Sequence, residues 1–551
     1  MKTTIFGKAF LGMAICCLAW GCSEDEPYIA SDNNNNEQKP GEEQNPGGEE
    51  IPGEEIMPTD DLVLFDIAFN TEPLTETENI PTDELLEEYN DYLEHSEFER
   101  TVTITFSGDT AEVIKTSKDV RYTIDGAHVT VNSTAKKVEY IVKGESSNGS
   151  LKIYSENKFK LQLEGVNLTN PKGAPINIQC KKRCYFVCND ESVNTLTDAT
   201  VYNATPNNED EKGCIFSEGK IIFSGSGKLQ VYGQGKHGIS SDDYVRVRAG
   251  CNIYIHTTAG HGVKTNDAIY VNGGVLNLDV KGDGKKGLST DGELKIEGGR
   301  TTIITSGAAI YENDEQDVSG CAAIKCDSIF VMNAGILNLK STGSGGKGLN
   351  VDKSITINGG ELNVLTTGGN YVYGDNQTTS TRGIGSGEEM IVNGGTICCY
   401  SMANDAIEAD GKLTVNGGTI IASGAQAPYK GIHSKQNFAI TAGTVISTGG
   451  EATNVSENET TQPFITINAE RIAVNTWLAL ENQNGENVCC YQMPRSYQNL
   501  NWMISTSELK SGETYQILTD GNTTGGNEWH GYVTGGTYSN GNTLTTSIAQ
   551  P

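Results

Sequence analysis

Between residues 214 and 450 the chain alternates apolar and polar positions in short runs, among them Ile269-Tyr270-Val271, Leu276-Asn277-Leu278, Leu294-Lys295-Ile296, Ile355-Thr356-Ile357 and Leu413-Thr414-Val415. A period of two predicts strands with one covered side. Between the runs fall Asn-Gly-Gly turns at 272–274, 358–360, 393–395 and 416–418, where glycine supplies the positive φ that a tight turn needs. These runs sit in a repeat. A Gly or Ala before an aliphatic recurs at 238, 262, 287, 323, 348, 383, 406 and 431, in steps of 24, 25, 36, 25, 35, 23 and 25. The glycine closing each turn recurs at 250, 274, 299, 335, 360, 395, 418 and 443, in the same steps. Two marks sharing one spacing define a true repeat. Three short strands in each two-dozen-residue unit predict one coil of a parallel β-helix, since the longer 3.6-period runs of helical repeats are missing.

Stacked coils would place equivalent residues in rows roughly 4.8 Å apart. The predicted inward row is Ile239, Val263, Leu288, Ile324, Leu349, Ile384, Ile407 and Ile432. With each aliphatic contributing about 1.5–3 kcal/mol on burial, packing is expected to dominate stability. The two long steps mark insertions, about 307–320 and 368–381, expected to loop out and carry binding contacts. The expected organisation is a lipoprotein signal and anchor over 1–22, an acidic tether over 23–61, an N-terminal helix and β cap over 62–140, the parallel β-helix over 141–450 and a small C-terminal β module over 451–551. The helix is expected over 82–98, with Thr82 as its N-cap and acids in its first turn.

Composition adds location and charge. The start has Lys2 and Lys8, an apolar stretch from Ala9 to Trp20, then Gly21-Cys22, too short for a membrane span and followed by acids. It resembles a lipoprotein signal in which Cys22 is acylated. The acidic run Ser23-Glu24-Asp25-Glu26 resembles the export signal for the extracellular face of the outer membrane. Residues 23–61 have almost no apolar side chains and cannot bury enough surface to fold. The formal net charge of −31 is unevenly spread: residues 23–99 hold 25 acids and one base, whereas 214–450 hold 22 acids and 19 bases. The repeats can therefore take an anionic ligand; no nucleic-acid partner is expected. Eleven cysteines follow Cys22 without a CxxC pair, so disulfides and buried free thiols both stay open.

The stretches 163-LEGVNLTN-170, 194-NTLTD-198 and 214-CIFSEGKIIFSGSGKLQVYG-233, with the repeated G-[IVL]-x-[ST]-x-D before a Gly-Gly turn, resemble a family of secreted carbohydrate-binding proteins. The resemblance covers roughly 140–450. It implies a right-handed parallel β-helix like that of polysaccharide lyases, association with calcium, and binding of acidic polysaccharide such as polygalacturonate. One departure matters. Where family members often have Asp-Asp-Gly, the residue before the marker here is His237, His261, Lys286, Ala322, Lys347, Arg382, Asp405 or Lys430, which puts some calcium sites in doubt.

A row of six cations on one edge would repel itself by roughly 1 kcal/mol per neighbouring pair even in water, and an anionic chain laid along it would relieve that repulsion. The candidate glycan contacts are His237, His261, Lys264, Lys286, Lys325, Lys347, Arg382 and Lys430, against the alternative of solvated surface charge. Tyr244, Tyr371, Tyr373 and Tyr429 are candidates for stacking on a neutral sugar. A second row, Asp242, Asn266, Asp291, Asp327, Asp352 and Asp410, reads either as turn capping or as calcium ligation. The calcium candidates are Asp242, Asp243, Asp267 and Asp291, with the acidic loops 209–211 and 312–317 as alternatives. Lys264 or Lys325 could be the base of a lyase, but no compact acid cluster flanks either, and no Ser-His-Asp, phosphate-loop or nucleotide motif occurs. The expectation is a non-catalytic, lipid-anchored binder of polysaccharide, with a protein-binding adhesin and a lyase as alternatives.

Overall fold

The computed structural model describes residues 65–74, 78–313, 316–374 and 377–551; the expected lipid anchor at Cys22 and the tether lie outside them. The described chain is all β, a solenoid of parallel coils with three faces. In one coil His237–Ser241 lies on the first face, Tyr244–Val247 on the second and Asn252–Thr257 on the third. Each pairs in parallel with its counterpart one coil on, as Ile239 with Val263, Val245 with Ile269 and Ile253 with Leu276.

The inward row expected from the repeat exists residue for residue. Ile239, Val263, Leu288, Ile324, Leu349, Ile384, Ile407 and Ile432 pair in unbroken succession, and all are buried in one continuous apolar core. The corner glycines do what the spacing required. All eight, from Gly250 to Gly443, have φ between 80° and 102°, a region closed to most side chains. Beside them the turn asparagines form a ladder: Asn358 donates to Asn333 at 2.8 Å, Asn393 to Asn358 at 2.8 Å and Asn416 to Asn393 at 3.0 Å. All eleven described cysteines are buried, unbridged thiols, behaving as small apolar side chains.

Antiparallel strands close both open ends. At the start Thr110–Lys115 pairs with Arg100–Ser107, and Val120–Asp125 with Ala127–Ser133. At the finish Tyr497–Ser505 lies antiparallel to Thr444–Gly449 of the last coil and to Phe464–Ile472 of the C-terminal module. A stack of parallel strands left uncovered would recruit other chains at its edges.

The segment expected to be a helix over 82–98 forms two 3₁₀ turns, Glu87–Asp91 and Leu93–His95. Its polar side chains are drawn onto the solenoid. Asp91, fully buried, accepts from Arg183 at 2.6 Å, Arg246 at 2.9 Å and Tyr244. Arg248 bridges Glu78 and Glu94, at 2.9 Å each. Upstream the same strap continues along the coils: Asn277 donates to the Asn70 carbonyl at 3.0 Å, Lys340 pairs with Asp66, and Phe65 meets His530 of the C-terminal module edge-on, ring centroids 4.8 Å apart.

Candidate functional site

The row before each marker lies where the third face turns into the first, and its histidines are not cations. His237 and His261 stack with centroids 4.8 Å apart and planes 7° apart. The backbone N–H of His261 donates to His237 Nδ1, and that of Lys286 to His261 Nδ1, both at 3.0 Å. A ring nitrogen that accepts is unprotonated. Burial, reinforced by Lys264, Lys285, Lys236 and Lys212, pushes His237 from 6.5 down to about 3, and burial, the neighbouring His237 ring and the nearby lysine charges take His261 well below its ordinary value. Asp405 plays the same part further on, accepting from the Lys430 N–H at 2.6 Å. These side chains hold one coil to the next.

Lys286, Lys347 and Arg382 of the row are also partly or wholly withdrawn from solvent, whereas no partner is seen for the Lys430 ammonium among the described residues. Lys286 donates to the Gly284 carbonyl and to Ser319 Oγ, both at 3.0 Å, and burial with neighbouring Lys285 lowers it to about 8. Lys347 is 5% exposed, and Arg382 pairs with Glu408 at 2.8 Å. Lys264 and Lys325 do point outward from the first face, each into carboxylates of its own or the next coil: Lys264 to Asp291, and Lys325 to Asp327 at 2.7 Å and to Asp352. Burial disfavours the Lys325 charge, but hydrogen bonds to Asp327 and Asp352 outweigh it and hold the ammonium above its ordinary value. That is the wrong direction for a catalytic base.

The four aspartates considered for calcium lie at the corner between the first and second faces. Asp242 accepts from Lys212 at 2.7 Å and Asp243 from Lys220 at 3.1 Å, while Asp291 is taken by Lys264. Asp267 sits beside Asp243, and burial together with that neighbouring charge raises it. Among the described residues no three His, Cys, Asp or Glu side chains gather as a metal-ligating group. Loop 209–211 is likewise committed: Glu209 to Lys152 at 2.8 Å and Tyr154, and Glu211 to the Ala174 N–H at 2.7 Å.

The two insertions build the feature the row was expected to supply. Each is an antiparallel hairpin, Ile310–Glu312 with Asp317–Ser319 and Tyr371–Tyr373 with Gln377–Thr379. Both leave the same corner, where the third face turns into the first. Their tyrosines meet: Tyr311 stacks on Tyr373 at 5.4 Å and 19°, and Tyr371 lies at 6.2 Å and 18° from Tyr373. Asn370, at the root of the second hairpin, reaches Tyr429 Oη at 3.5 Å. Three nearly parallel rings thus stand at the border of a first face whose outward positions include Lys264, Lys325 and Asn350. Tyr244, the remaining stacking candidate, is buried under the strap with its hydroxyl on Asp91.

A family model described as "Carbohydrate-binding domain-containing protein" matches residues 125–428, more than half of the chain. The chain belongs to this family. In this carbohydrate-binding-domain protein the matched span takes in the first-face strands up to Ile407–Ala409 and both hairpins, and leaves out the strap, the last coil and the C-terminal module. A "Carbohydrate-binding domain-containing protein" of Acetivibrio thermocellus is 31% identical over 110 residues, covering 19% of this chain and 38% of the relative. The alignment thus spans well under half of that relative's length. Among solved structures, a polysaccharide lyase-like protein from C. thermocellum is 17% identical, with a TM-score of 0.28 over 62% of this chain and 97% of its own.

Tyr311 was missed as a candidate, because its meaning depends on two insertions some sixty residues apart being placed at one corner. The repeat count held the signal. Both long steps fall between the third and first strands of their coils, which places the insertions on one edge.

Proposed function

We propose that the protein binds polysaccharide without cleaving it, that the glycan lies on the first face against the paired hairpins, and that uronate-bearing chains are preferred. The observation that carries this reading is the Tyr311–Tyr373–Tyr371 row. Sugar rings present flat apolar C–H faces, and parallel aromatic rings supply a matching surface, while Lys264, Lys325 and Asn350 offer donors to hydroxyls and carboxylates. The ion-paired state of Lys264 and Lys325 supports binding over elimination chemistry. Calcium is retained here only at Asp243 and Asp267, whose repulsion a divalent ion would relieve. Display on the outer membrane through an acylated Cys22 completes the reading.

Polysaccharide retention by affinity electrophoresis tests it. Polygalacturonate and a neutral glucan are expected to slow the wild-type protein, and Tyr373→Ala is expected to weaken retention by about tenfold, the loss of one well-packed aromatic contact. Unchanged retention in Tyr373→Ala would sink the stacking site, and a rise in ultraviolet absorbance from polygalacturonate would make the protein a lyase. For the cation, added calcium is expected to raise the melting temperature of the wild type and not of Asp267→Asn.

A further inference from the structure

The corner between the first and second faces changes sign along the solenoid. From the coil of Asp242 onward it carries the aspartates already described. In the three coils before that it carries Lys158, then Lys181, Lys182 and Arg183, then Lys220. These five side chains line a cavity of about 340 Å³ whose one carboxylate is Glu156. No other part of the corner gathers so much charge of one sign.

The charges are poorly compensated within the cavity. Lys158 Nζ meets the hydroxyls of Ser96 at 3.0 Å and Tyr185 at 3.4 Å and lies 5.8 Å from the centre of the Tyr185 ring, with no carboxylate paired to it among the described residues; burial, and then the charge of Arg183, lower its pKa. Lys181 is 83% exposed, with Glu218 no nearer than 3.9 Å. Among the described residues neither Lys158 nor Lys182 has an ion pair. Arg183 and Lys220 do have counter-ions, Asp91 at 2.6 Å and Asp243 at 3.1 Å, but neither carboxylate lines the cavity. Elsewhere on the first face outward lysines are matched to carboxylates: Lys152 to Glu209, Lys264 to Asp291 and Lys325 to Asp327 and Asp352. The cavity is therefore a place where an added anion lowers the energy twice, by relieving like-charge repulsion and by accepting charged hydrogen bonds.

We propose that this basic pocket, lined by Lys158, Lys181, Lys182, Arg183 and Lys220, binds one sugar residue through its carboxylate or sulfate group. Its volume sits at the low end of small-molecule sites. At about 30 Å³ per water it holds roughly ten waters, more room than an inorganic oxyanion fills and suited to a single ring. Asn157, also in the lining, can serve a ring hydroxyl as donor or acceptor. The proposal rests on the polysaccharide reading and deepens it: stacking would come from the tyrosine hairpins at one corner, and preference for anionic residues from this pocket at another.

Calorimetric titration with glucuronate, glucose 6-sulfate, glucose and inorganic sulfate, at low and at moderate salt, separates the two. The wild type is expected to bind glucuronate or glucose 6-sulfate, with affinity falling as salt rises, and not glucose. The double variant Lys181→Glu/Lys182→Glu, at exposed positions, is expected to lose at least tenfold in that affinity, as is Lys158→Met, while Tyr373→Ala keeps it. Circular dichroism checks that the folds are retained. Anionic-sugar binding that survives the charge reversal, no anionic-sugar binding by the wild type, or inorganic sulfate binding as tightly as glucose 6-sulfate each overturns the pocket. If those occur while Tyr373→Ala still weakens polysaccharide retention, the pocket fails and the proposed function stands.

Discussion

Between about pH 6.5 and 3 the unfolded chain takes up a proton at His237 that the folded chain refuses, because its ring accepts a backbone N–H and is buried beside lysines. Folding stability is therefore whole above pH 6.5 and is lost as pH falls toward 3. At pH 4.5 the cost is about 2–3 kcal/mol for His237 alone, and His261 adds to it in the same direction. Urea unfolding of wild type and His237→Gln at pH 7 and 4.5 should show the wild type losing the larger share of its stability. Lys286 works at the other end. Its pKa of about 8, against an ordinary 10.5, means stability is lost as pH falls from 10.5 to 8 and stays low at neutral pH. Lys286→Met should then gain about 1–2 kcal/mol at pH 7, after the hydrogen bonds to Gly284 and Ser319 are subtracted, and should flatten the rise above pH 8. Sequence spacing located both residues in their row correctly. It could not say that the row folds over the coil above, because that depends on how the corner is covered, and so the apparent cations were read as open to solvent.

Strands, corners and insertions were legible because each has a local cause: alternation for the strands, a glycine requiring positive φ for the corners, a break in the step for the hairpins. The strap was not. Residues 82–98 have helical composition and an N-cap, yet they make only two 3₁₀ turns, which lay Asp91, Tyr92 and Glu94 on the solenoid. The solenoid holds those side chains with Arg183, Arg246 and Arg248 on one surface, and that pull outweighs a propensity worth tenths of a kcal/mol per residue. Asp91→Asn leaves Arg183 and Arg246 short of a buried counter-ion and should cost about 3–5 kcal/mol, read as a lowered urea midpoint with an unchanged slope. The tyrosine row likewise needed two elements to be placed together before either had meaning. Tyr371 and Tyr373 could be suspected alone, but Tyr311 only with its neighbour.

Taken whole, the molecule is a rod with two closed ends and three long faces, and its chemistry differs from corner to corner. One corner carries the tyrosine hairpins; another is basic at its beginning and acidic thereafter; the strap covers ground between the second and third faces. The continuous apolar core explains why these features can diverge, since the inward row is satisfied whatever the outward positions carry. The family match over 125–428 covers this shared scaffold.

Phe65, the first described residue, touches His530, although the strand that begins the solenoid lies at the far pole. Phe65 packs beside Leu365 and Tyr400 on the flank of the later coils, so the strap carries the chain back along the rod before the first strand begins.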